Sequence, residues 1–478
     1  MRKATQLIAV ALVLAMLLAG CGQPGEGVAV PEQTGSTAET TATVAPAEQE
    51  TEATPDTTES SGAPESSAEV QTSAEATSMP GQEISGAAEG DGQIALPDTF
   101  AETVLIDNEN CKVAVTGFTT GIGNDVVMQM SLENKTDINL MFTVEWAAIN
   151  GVMDDPFWAD EVAAGKILNT EIYWSAEDLQ KKMISKLSAV EFMLRAYDSD
   201  NWEAEDLLAE TVTVYPFGED QAEYVAREDQ ASDVVLYADD AVSVIATGFD
   251  PQGEYGNTVG LFLENHTEQT LTMTADDCAV NGVMADPIWV EEVAPGKVAF
   301  SEMNWYLDST IETLGITDIT EVTGTLRAYD SDDWSADDVV NAPFTYTPQG
   351  PDAVSLYTYT PGAQDVILAD NDQFQFIVIG FEKDDMNYQY MKVFINNKTD
   401  KTLMFSAENV AINGYMCDPY WAMSVAPGKM AMGRFSWSDA DLSANGIESI
   451  EEVEFALEVY DDDTFEDVAQ GNYTVAAW

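Results

Sequence analysis

Histidine is almost absent from this chain of 478 residues, because His266 is the only one. Ser-His-Asp and Cys-His catalytic centres and histidine-based zinc sites need an imidazole. His266 lies in the turn-like stretch "ENHTE", and the corresponding stretches elsewhere in the chain carry Lys135 and Lys398. No glycine-rich phosphate loop follows a predicted strand either. The sequence therefore offers no catalytic residues, and we predict that the protein is not an enzyme.

Basic residues are also scarce: 18 Lys and Arg stand against 85 Asp and Glu, for a formal net charge of −67. Nucleic-acid binding depends on cationic side chains that neutralise phosphates. A field of this sign repels polyanions and anionic lipid headgroups as well. We therefore predict no nucleic-acid partner and a highly soluble, acidic surface.

Cysteine pairs are missing. The four cysteines are Cys21, Cys111, Cys278 and Cys417, and the last three fall one to each of three similar segments. A disulfide framework within a domain needs an even number of cysteines in that domain. We interpret these three as buried small apolar residues, with an odd reactive thiol as the alternative.

Long apolar runs are confined to the N-terminus. Arg2 and Lys3 precede a short apolar run over residues 7–18, and "LAGC" follows, ending at Cys21. The run is short for a membrane span and is typical of a signal peptide, here residues 1–20. The small residues before Cys21 look like a lipobox, which implies a diacylglycerol on that cysteine. We predict a lipid-anchored protein on the extracellular face of a bacterial cell membrane.

Residues 21–97 have almost no aromatic or branched apolar side chains. From Gly22 to Pro97 the chain is Thr, Ser, Ala, Pro, Glu and Gly, with 14 acidic residues and no Lys or Arg. Such a segment cannot bury enough apolar surface to offset the entropy of ordering. We predict a disordered tether between the lipidated cysteine and the folded part.

Four short motifs recur three times in one order, at an interval of about 131 residues. Each copy is long enough to fold on its own. The pattern predicts three repeats at 98–217, 233–348 and 364–478, with linkers between them. The motifs are "GF" (Gly117, Gly248, Gly380), "NG" (Asn150, Asn281, Asn413), "GK" (Lys166, Lys297, Lys429) and "YD" (Tyr197, Tyr329, Tyr460).

Within each copy, short runs rich in branched and aromatic residues alternate with turn residues, as in "DVVMQMSLEN" and "AVEFMLRAYD". We expect "ENKTD" and its counterparts to form hairpin turns. Ser175 with Asp178, and Ser438 with Asp441, predict helix starts. The fold class is therefore all-β: three tandem immunoglobulin-like β-sandwich domains, each with one short helix, after the tether.

The lipobox, the Thr/Ser/Glu tether and the series "NKT", "INGxMxDPxW" and "VAPGK" together resemble cell-surface lipoproteins of Gram-positive gut bacteria with tandem immunoglobulin-like domains of unknown function. The resemblance covers the signal peptide and roughly residues 100–478. It implies an architecture and carries no activity or ligand. The third copy departs from the others at Glu458 and Phe465, where the first two have arginine and tryptophan.

The phrase "INGYMCDPYW" from Ile412 has near-copies from Ile149 and Val280. Asn-Gly favours a tight reversal, and loops at sandwich ends often carry function. Two interpretations stay open: a folding device that plugs the sandwich, or an exposed contact for a cell-wall or host glycan or a protein. The residues concerned are Trp158, Trp289 and Trp421, with Met153, Met284 and Met416.

Acidic clusters follow the "YD" motif in every copy, and oxygen ligands on a tight loop suit Ca²⁺. The alternative is a turn in which Asp accepts bonds from nearby backbone N–H groups. We predict no cofactor, and calcium is the one candidate. For the chain as a whole we predict a non-catalytic surface lipoprotein for adhesion, ligand contact or spacing. A Ca²⁺-binding or small-solute-binding module is the alternative. The clusters are Asp198 and Asp200; Asp330, Asp332 and Asp333; and Asp461, Asp462 and Asp463.

Overall fold

The computed structural model describes residues 93–306, 310–384, 386–419 and 421–478. The predicted signal peptide, Cys21 and nearly all of the predicted tether lie outside these residues. The described part of the chain falls in one compact unit, Ile84–Trp478, and consists mainly of strands with few short helices. The predicted all-β fold of immunoglobulin-like sandwiches, each with a short helix, is confirmed.

Nine strands and one short helix recur in the same order in each repeat. Repeat 1 contains β1 (Thr103–Asp107), β2 (Cys111–Thr120), β3 (Val126–Asn134), β4 (Leu140–Ile149), β5 (Val152–Met153), β6 (Ala159–Val162), β7 (Ile167–Trp174), α1 (Ala176–Lys181), β8 (Val190–Asp198) and β9 (Leu208–Val214). Repeat 2 contains β10 (Val234–Ala238), β11 (Val242–Gly253), β12 (Gly256–Asn265), β13 (Leu271–Val280), β14 (Val283–Met284), β15 (Val290–Val293), β16 (Val298–Trp305), α2 (Thr310–Thr313), β17 (Val322–Asp330) and β18 (Val340–Tyr346). Repeat 3 contains β19 (Val366–Asp370), β20 (Phe374–Lys383), β21 (Tyr388–Asn397), β22 (Leu403–Ile412), β23 (Tyr415–Met416), β24 (Ala422–Val425), β25 (Met430–Ser438), α3 (Asp439–Ala444), β26 (Glu452–Asp461) and β27 (Asp467–Ala476).

Each repeat is a sandwich of two sheets. In repeat 1 the first sheet has the strand order β1-β2-β3-β7, and the second contains β5-β4-β8-β9 with β6 also paired to β4. Repeats 2 and 3 reproduce both orders. Alternate residues of each strand point between the sheets, so the buried positions in β3 and β8 recur with period two. The apolar core of each repeat lies between its two sheets.

The expected hairpin at "ENKTD" is wrong, because β3 and β4 belong to different sheets. The chain crosses between the sheets there, and a buried asparagine supports the crossing. The Asn134 side-chain amide donates to the carbonyls of Ile138 (2.7 Å) and Val162 (2.8 Å), and its oxygen accepts the Thr136 N–H (2.9 Å). Asn265 and Asn397 make the same bonds in their repeats.

The "NG" motif forms the predicted tight reversal. Asn150 has φ 51° and Gly151 has φ 83°, and the other two copies differ by no more than two degrees. Two successive residues with positive φ favour Asn-Gly, because glycine has no Cβ to clash. The Asn150 side chain is buried and its oxygen accepts the N–H groups of Ser188 and Ala189, each at 3.0 Å. We call each turn with its two-residue strand the NG hairpin: Asn150–Met153, Asn281–Met284 and Asn413–Met416.

The predicted helix starts are confirmed in repeats 1 and 3. Ser175 caps α1 by accepting the Asp178 N–H, and Ser438 caps α3 by accepting the Asp441 N–H, both at 3.2 Å. Such caps satisfy backbone donors that a helix leaves free at its first turn.

The sheets continue from one repeat to the next. At junction 1, β5 of repeat 1 lies parallel to β16 of repeat 2, with Val152 opposite Val298. The Val298 N–H donates to the Gly151 carbonyl at 3.1 Å. The second sheet of repeat 1 and the first sheet of repeat 2 thereby form one sheet of nine strands.

Junction 2 repeats this arrangement. In it, β14 lies parallel to β25, with Val283 opposite Met430, and the Met430 N–H donates to the Gly282 carbonyl at 2.9 Å. A second nine-stranded sheet results. The interval between the motifs predicted separate repeats, and the structure adds that hydrogen bonds and apolar cores join them.

The predicted linkers pass over the first sheet of the repeat that follows. The Arg227 guanidinium lies 5.5 Å from the centre of the Phe262 ring, and Tyr359 stacks on Phe394 at 4.2 Å. Repeat 1 has Ser131 at the position of these two phenylalanines.

Candidate functional site

The tryptophans that end the repeated phrase are buried inside their own sandwiches. Trp158, Trp289 and Trp421 belong to the cores of repeats 1, 2 and 3 respectively. The Trp289 indole N–H donates to Ser301 Oγ at 3.0 Å, and Trp421 stacks on Phe435 with ring centres 4.4 Å apart. Burial of the indole with a partner for its N–H is the behaviour of a core residue. This geometry agrees with the folding-device interpretation and leaves these indoles no exposed face for a ligand.

The methionines of the phrase lie in three different environments. Met153 is 4% exposed and belongs to the core cluster of repeat 2, although it is a residue of repeat 1. Met284 packs against the core of repeat 3, where its sulfur accepts the Ala426 N–H. Met416 is 64% exposed. Met153 and Met284 therefore pack between adjacent repeats. Met416 is the equivalent residue of repeat 3, where no described repeat covers it.

The acidic clusters after "YD" form turns held by their own carboxylates. Asp198 accepts the Asp200 N–H at 3.0 Å, and Asp330 accepts the Asp332 N–H at 2.9 Å. Asp461 accepts the N–H groups of Asp463 and Thr464. A hydrogen bond from Lys401 lowers the pKa of Asp461 to about 2.

Calcium at these clusters stays a prediction. The remaining predicted ligands, Asp333 and Asp462, accept bonds from the Ser335 backbone and the Ser424 hydroxyl. In the part of the chain that the structure describes, no group of three or more His, Cys, Asp or Glu side chains could hold a metal ion.

Three large aromatic side chains that the sequence did not single out as contacts stand exposed on equivalent loops. Trp202 is 77% exposed, Trp334 84% and Phe465 74%. Each lies four residues after the aspartate of "YD", in the loop that joins the last two strands of its repeat. The repeated position was visible in the sequence. The exposure of these side chains could not be predicted, because the sequence does not distinguish an exposed tryptophan in this loop from the buried tryptophan of the NG phrase.

Salt bridges brace these loops in repeats 1 and 2. The Arg195 guanidinium binds Asp206 through two nitrogens at 2.6 and 3.3 Å, and Arg327 binds Asp338 at 2.8 and 3.0 Å. Paired bonds of this kind fix orientation as well as distance. Repeat 3 has Glu458 in place of the arginine. The loops that carry Trp202 and Trp334 are therefore each held by an arginine–aspartate pair that repeat 3 lacks.

Among the described residues, the three cysteines are buried and the histidine lies on the surface. His266 is exposed in its turn, 3.8 Å from Glu264. Cys111, Cys278 and Cys417 are free and buried, as expected, and burial raises the pKa of the Cys111 thiol to about 11. Thiolates and imidazoles act as nucleophiles and bases when they are accessible near neutral pH.

A groove of about 250 Å³ lies on the first sheet of repeat 1. Lys112, Ser131, Ile167 and Asn169 are among the residues that line it. In repeats 2 and 3 the linkers pack on the corresponding face, at Phe262 and Phe394. The groove thus marks a face of repeat 1 that a neighbouring segment covers in the other two repeats.

None of the helices in the described part of the chain has the length and the hydropathy that crossing a bilayer requires. No family model matches the chain, and no curated protein matches it significantly.

Proposed function

We propose that this chain is a non-catalytic surface lipoprotein, anchored through Cys21 on the extracellular face of a bacterial membrane, that contacts a ligand through the braced aromatic loops of repeats 1 and 2. The observation that carries the proposal is the exposure of Trp202 and Trp334 at equivalent positions. Large exposed aromatic residues on loops held by a rigid scaffold are typical of contact sites.

The chemistry of the surface favours an uncharged polysaccharide as the ligand, in the cell wall or on a host. An indole offers a flat apolar face on which the apolar face of a sugar ring packs. Acidic residues are close to it in the sequence, with Asp200 two residues before Trp202 and Asp333 directly before Trp334, and carboxylates accept hydrogen bonds from sugar hydroxyls. The net charge of −67 opposes anionic polymers.

The continuous sheets favour a second role, spacing. Because backbone hydrogen bonds and apolar contacts join each repeat to the next, the three repeats keep a fixed order and a fixed separation from one another. A flexible string of domains has interfaces that are small and polar. Holding the two braced loops at a constant spacing would let one polymer engage both of them, which raises the effective affinity.

Polysaccharide retention tests the proposal. The double variant Trp202→Ala, Trp334→Ala is expected to lose at least about tenfold in affinity for an insoluble uncharged polysaccharide, since two stacking contacts disappear. The measurement is a pull-down with a glycan array beside it, using the chain from Gly22 onward. Ile122→Ala, which removes an apolar side chain that is 95% exposed on a different loop, serves as the matched control. Equal retention of the double variant and the parent would refute the contact surface.

A further inference from the structure

Each internal junction joins two surfaces, and the folded unit carries one more copy of each, one at either end. At each internal junction an NG hairpin lies on the first residues of the strand after "GK". Repeat 3 has an NG hairpin, Asn413–Met416, with no described strand of another repeat beside it. Repeat 1 has the corresponding strand, β7, at the edge of its sheet with no described hairpin beside it.

The backbone of β7 is oriented to accept a hairpin. Asn134 and Lys166 stand opposite each other at a bonded position of the ladder, where the Asn134 N–H donates to the Lys166 carbonyl at 2.9 Å. Bonded and non-bonded pairs alternate along an antiparallel ladder, so the next pair, Glu133 and Ile167, is non-bonded. The Ile167 N–H therefore points outward, as do the equivalent N–H groups of Val298 and Met430, which donate to Gly151 and Gly282.

Both ends of the folded unit expose large apolar side chains at the positions that meet in the internal junctions. Ile167 is 65% exposed and Met416 is 64% exposed, whereas Val298 and Met153 are half-buried and buried at junction 1. Tyr415 stands where Val152 and Val283 are buried, and it is exposed as well. Large apolar residues that are covered at the internal junctions thus remain uncovered at the outer ends, beside the groove on repeat 1.

Charge matches too. At junction 1 the Lys297 ammonium pairs with Glu191 at 2.8 Å. Lys166 and Glu454 occupy the positions of these two residues at the open ends, and both are exposed. At junction 2 the equivalent lysine, Lys429, donates instead to the Thr323 hydroxyl at 2.7 Å. An end-to-end contact between two copies would therefore restore the lysine–glutamate pair of junction 1.

We propose that copies of this chain associate head to tail, with the NG hairpin of repeat 3 in one copy pairing with β7 of repeat 1 in the next. The Ile167 N–H donates to the Gly414 carbonyl, Lys166 pairs with Glu454, and Met416 packs against the first sheet of repeat 1. Because the contact joins different surfaces, it leaves one free end on each side and continues into chains or closes into rings. It is independent of the ligand proposed above.

Charge reversal tests this pairing. Sedimentation velocity of the chain from Gly22 onward, which retains every described residue, is expected to show a sedimentation coefficient that rises with protein concentration. Lys166→Glu places two carboxylates opposite each other and Glu454→Lys places two ammonium groups there. Each single variant is expected to associate at least about tenfold more weakly, because juxtaposed like charges are costly.

Mixing the two single variants is the decisive test of the proposed charge pair. In the mixture, the glutamate introduced by Lys166→Glu in one chain meets the lysine introduced by Glu454→Lys in the other, so association is expected to return to the parental level. Both positions are exposed, so each variant should melt like the parent, which circular dichroism checks. A parent chain that sediments as a monomer at every concentration would overturn the proposal, and so would association that neither variant weakens or that mixing fails to restore.

Discussion

Replacing Trp289 with alanine is expected to lower the free energy of unfolding by about 3–5 kcal/mol, the range for deleting a buried aromatic side chain. Trp289 is 5% exposed in the core of repeat 2, and its indole N–H is bonded to Ser301. The substitution removes apolar contacts and leaves a cavity between the sheets. Urea unfolding followed by circular dichroism measures the loss.

Trp334→Ala is the matched control, because it removes the same side chain from the same repeat at a position that is 84% exposed. Its effect is expected to stay within about 0.5 kcal/mol, as for surface substitutions generally. Equal unfolding midpoints for Trp289→Ala and Trp334→Ala would contradict the assignment of the NG phrase to the folding of each sandwich. The pair of variants thus separates the buried tryptophans of the NG phrase from the exposed tryptophans of the loops.

Met153→Ala is expected to cost about 2–5 kcal/mol, the range for a buried methionine. The residue belongs to repeat 1, but its side chain lies in the core cluster of repeat 2. The loss should therefore appear as faster amide exchange in repeat 2 as well as a lower unfolding midpoint. A change confined to repeat 1 would mean that junction 1 is not packed in solution.

The equivalent substitution in repeat 3, Met416→Ala, provides the comparison. Its side chain is exposed in the single chain, so the expected change in unfolding free energy is within about 0.5 kcal/mol at dilute protein. The same substitution at high concentration should weaken self-association, because the proposed contact buries this methionine. Met153→Ala is therefore expected to affect folding, and Met416→Ala is expected to affect self-association.

The repeat architecture could be predicted because its signals are local. Asn-Gly at Asn150 requires positive φ, Ser175 caps a helix, and alternating apolar residues mark strands. The expected hairpin at "ENKTD" was wrong for a physical reason: a turn sequence gives the reversal but not whether the second strand returns to the same sheet. That outcome depends on the buried side chain of Asn134, which bonds Val162 28 residues away.

The junctions and the exposed aromatic residues could not be predicted from the sequence. A two-residue strand such as Val152–Met153 has no periodicity, and its partner Val298 lies in another repeat. The exposure of Trp202 depends on the conformation of the loop that the Arg195–Asp206 pair holds. Both features arise from packing between elements that are distant in sequence.

Amide hydrogen exchange at three equivalent residues tests the central claim, that backbone bonds carry the sheets across the repeat boundaries. In dilute protein, where self-association is minimal, the Val298 and Met430 amides are expected to exchange slowly, because they donate to Gly151 and Gly282. The Ile167 amide, at the same position in repeat 1, points to the open edge and is expected to exchange rapidly. Val298 and Met430 amides that exchange as fast as Ile167 would contradict the account.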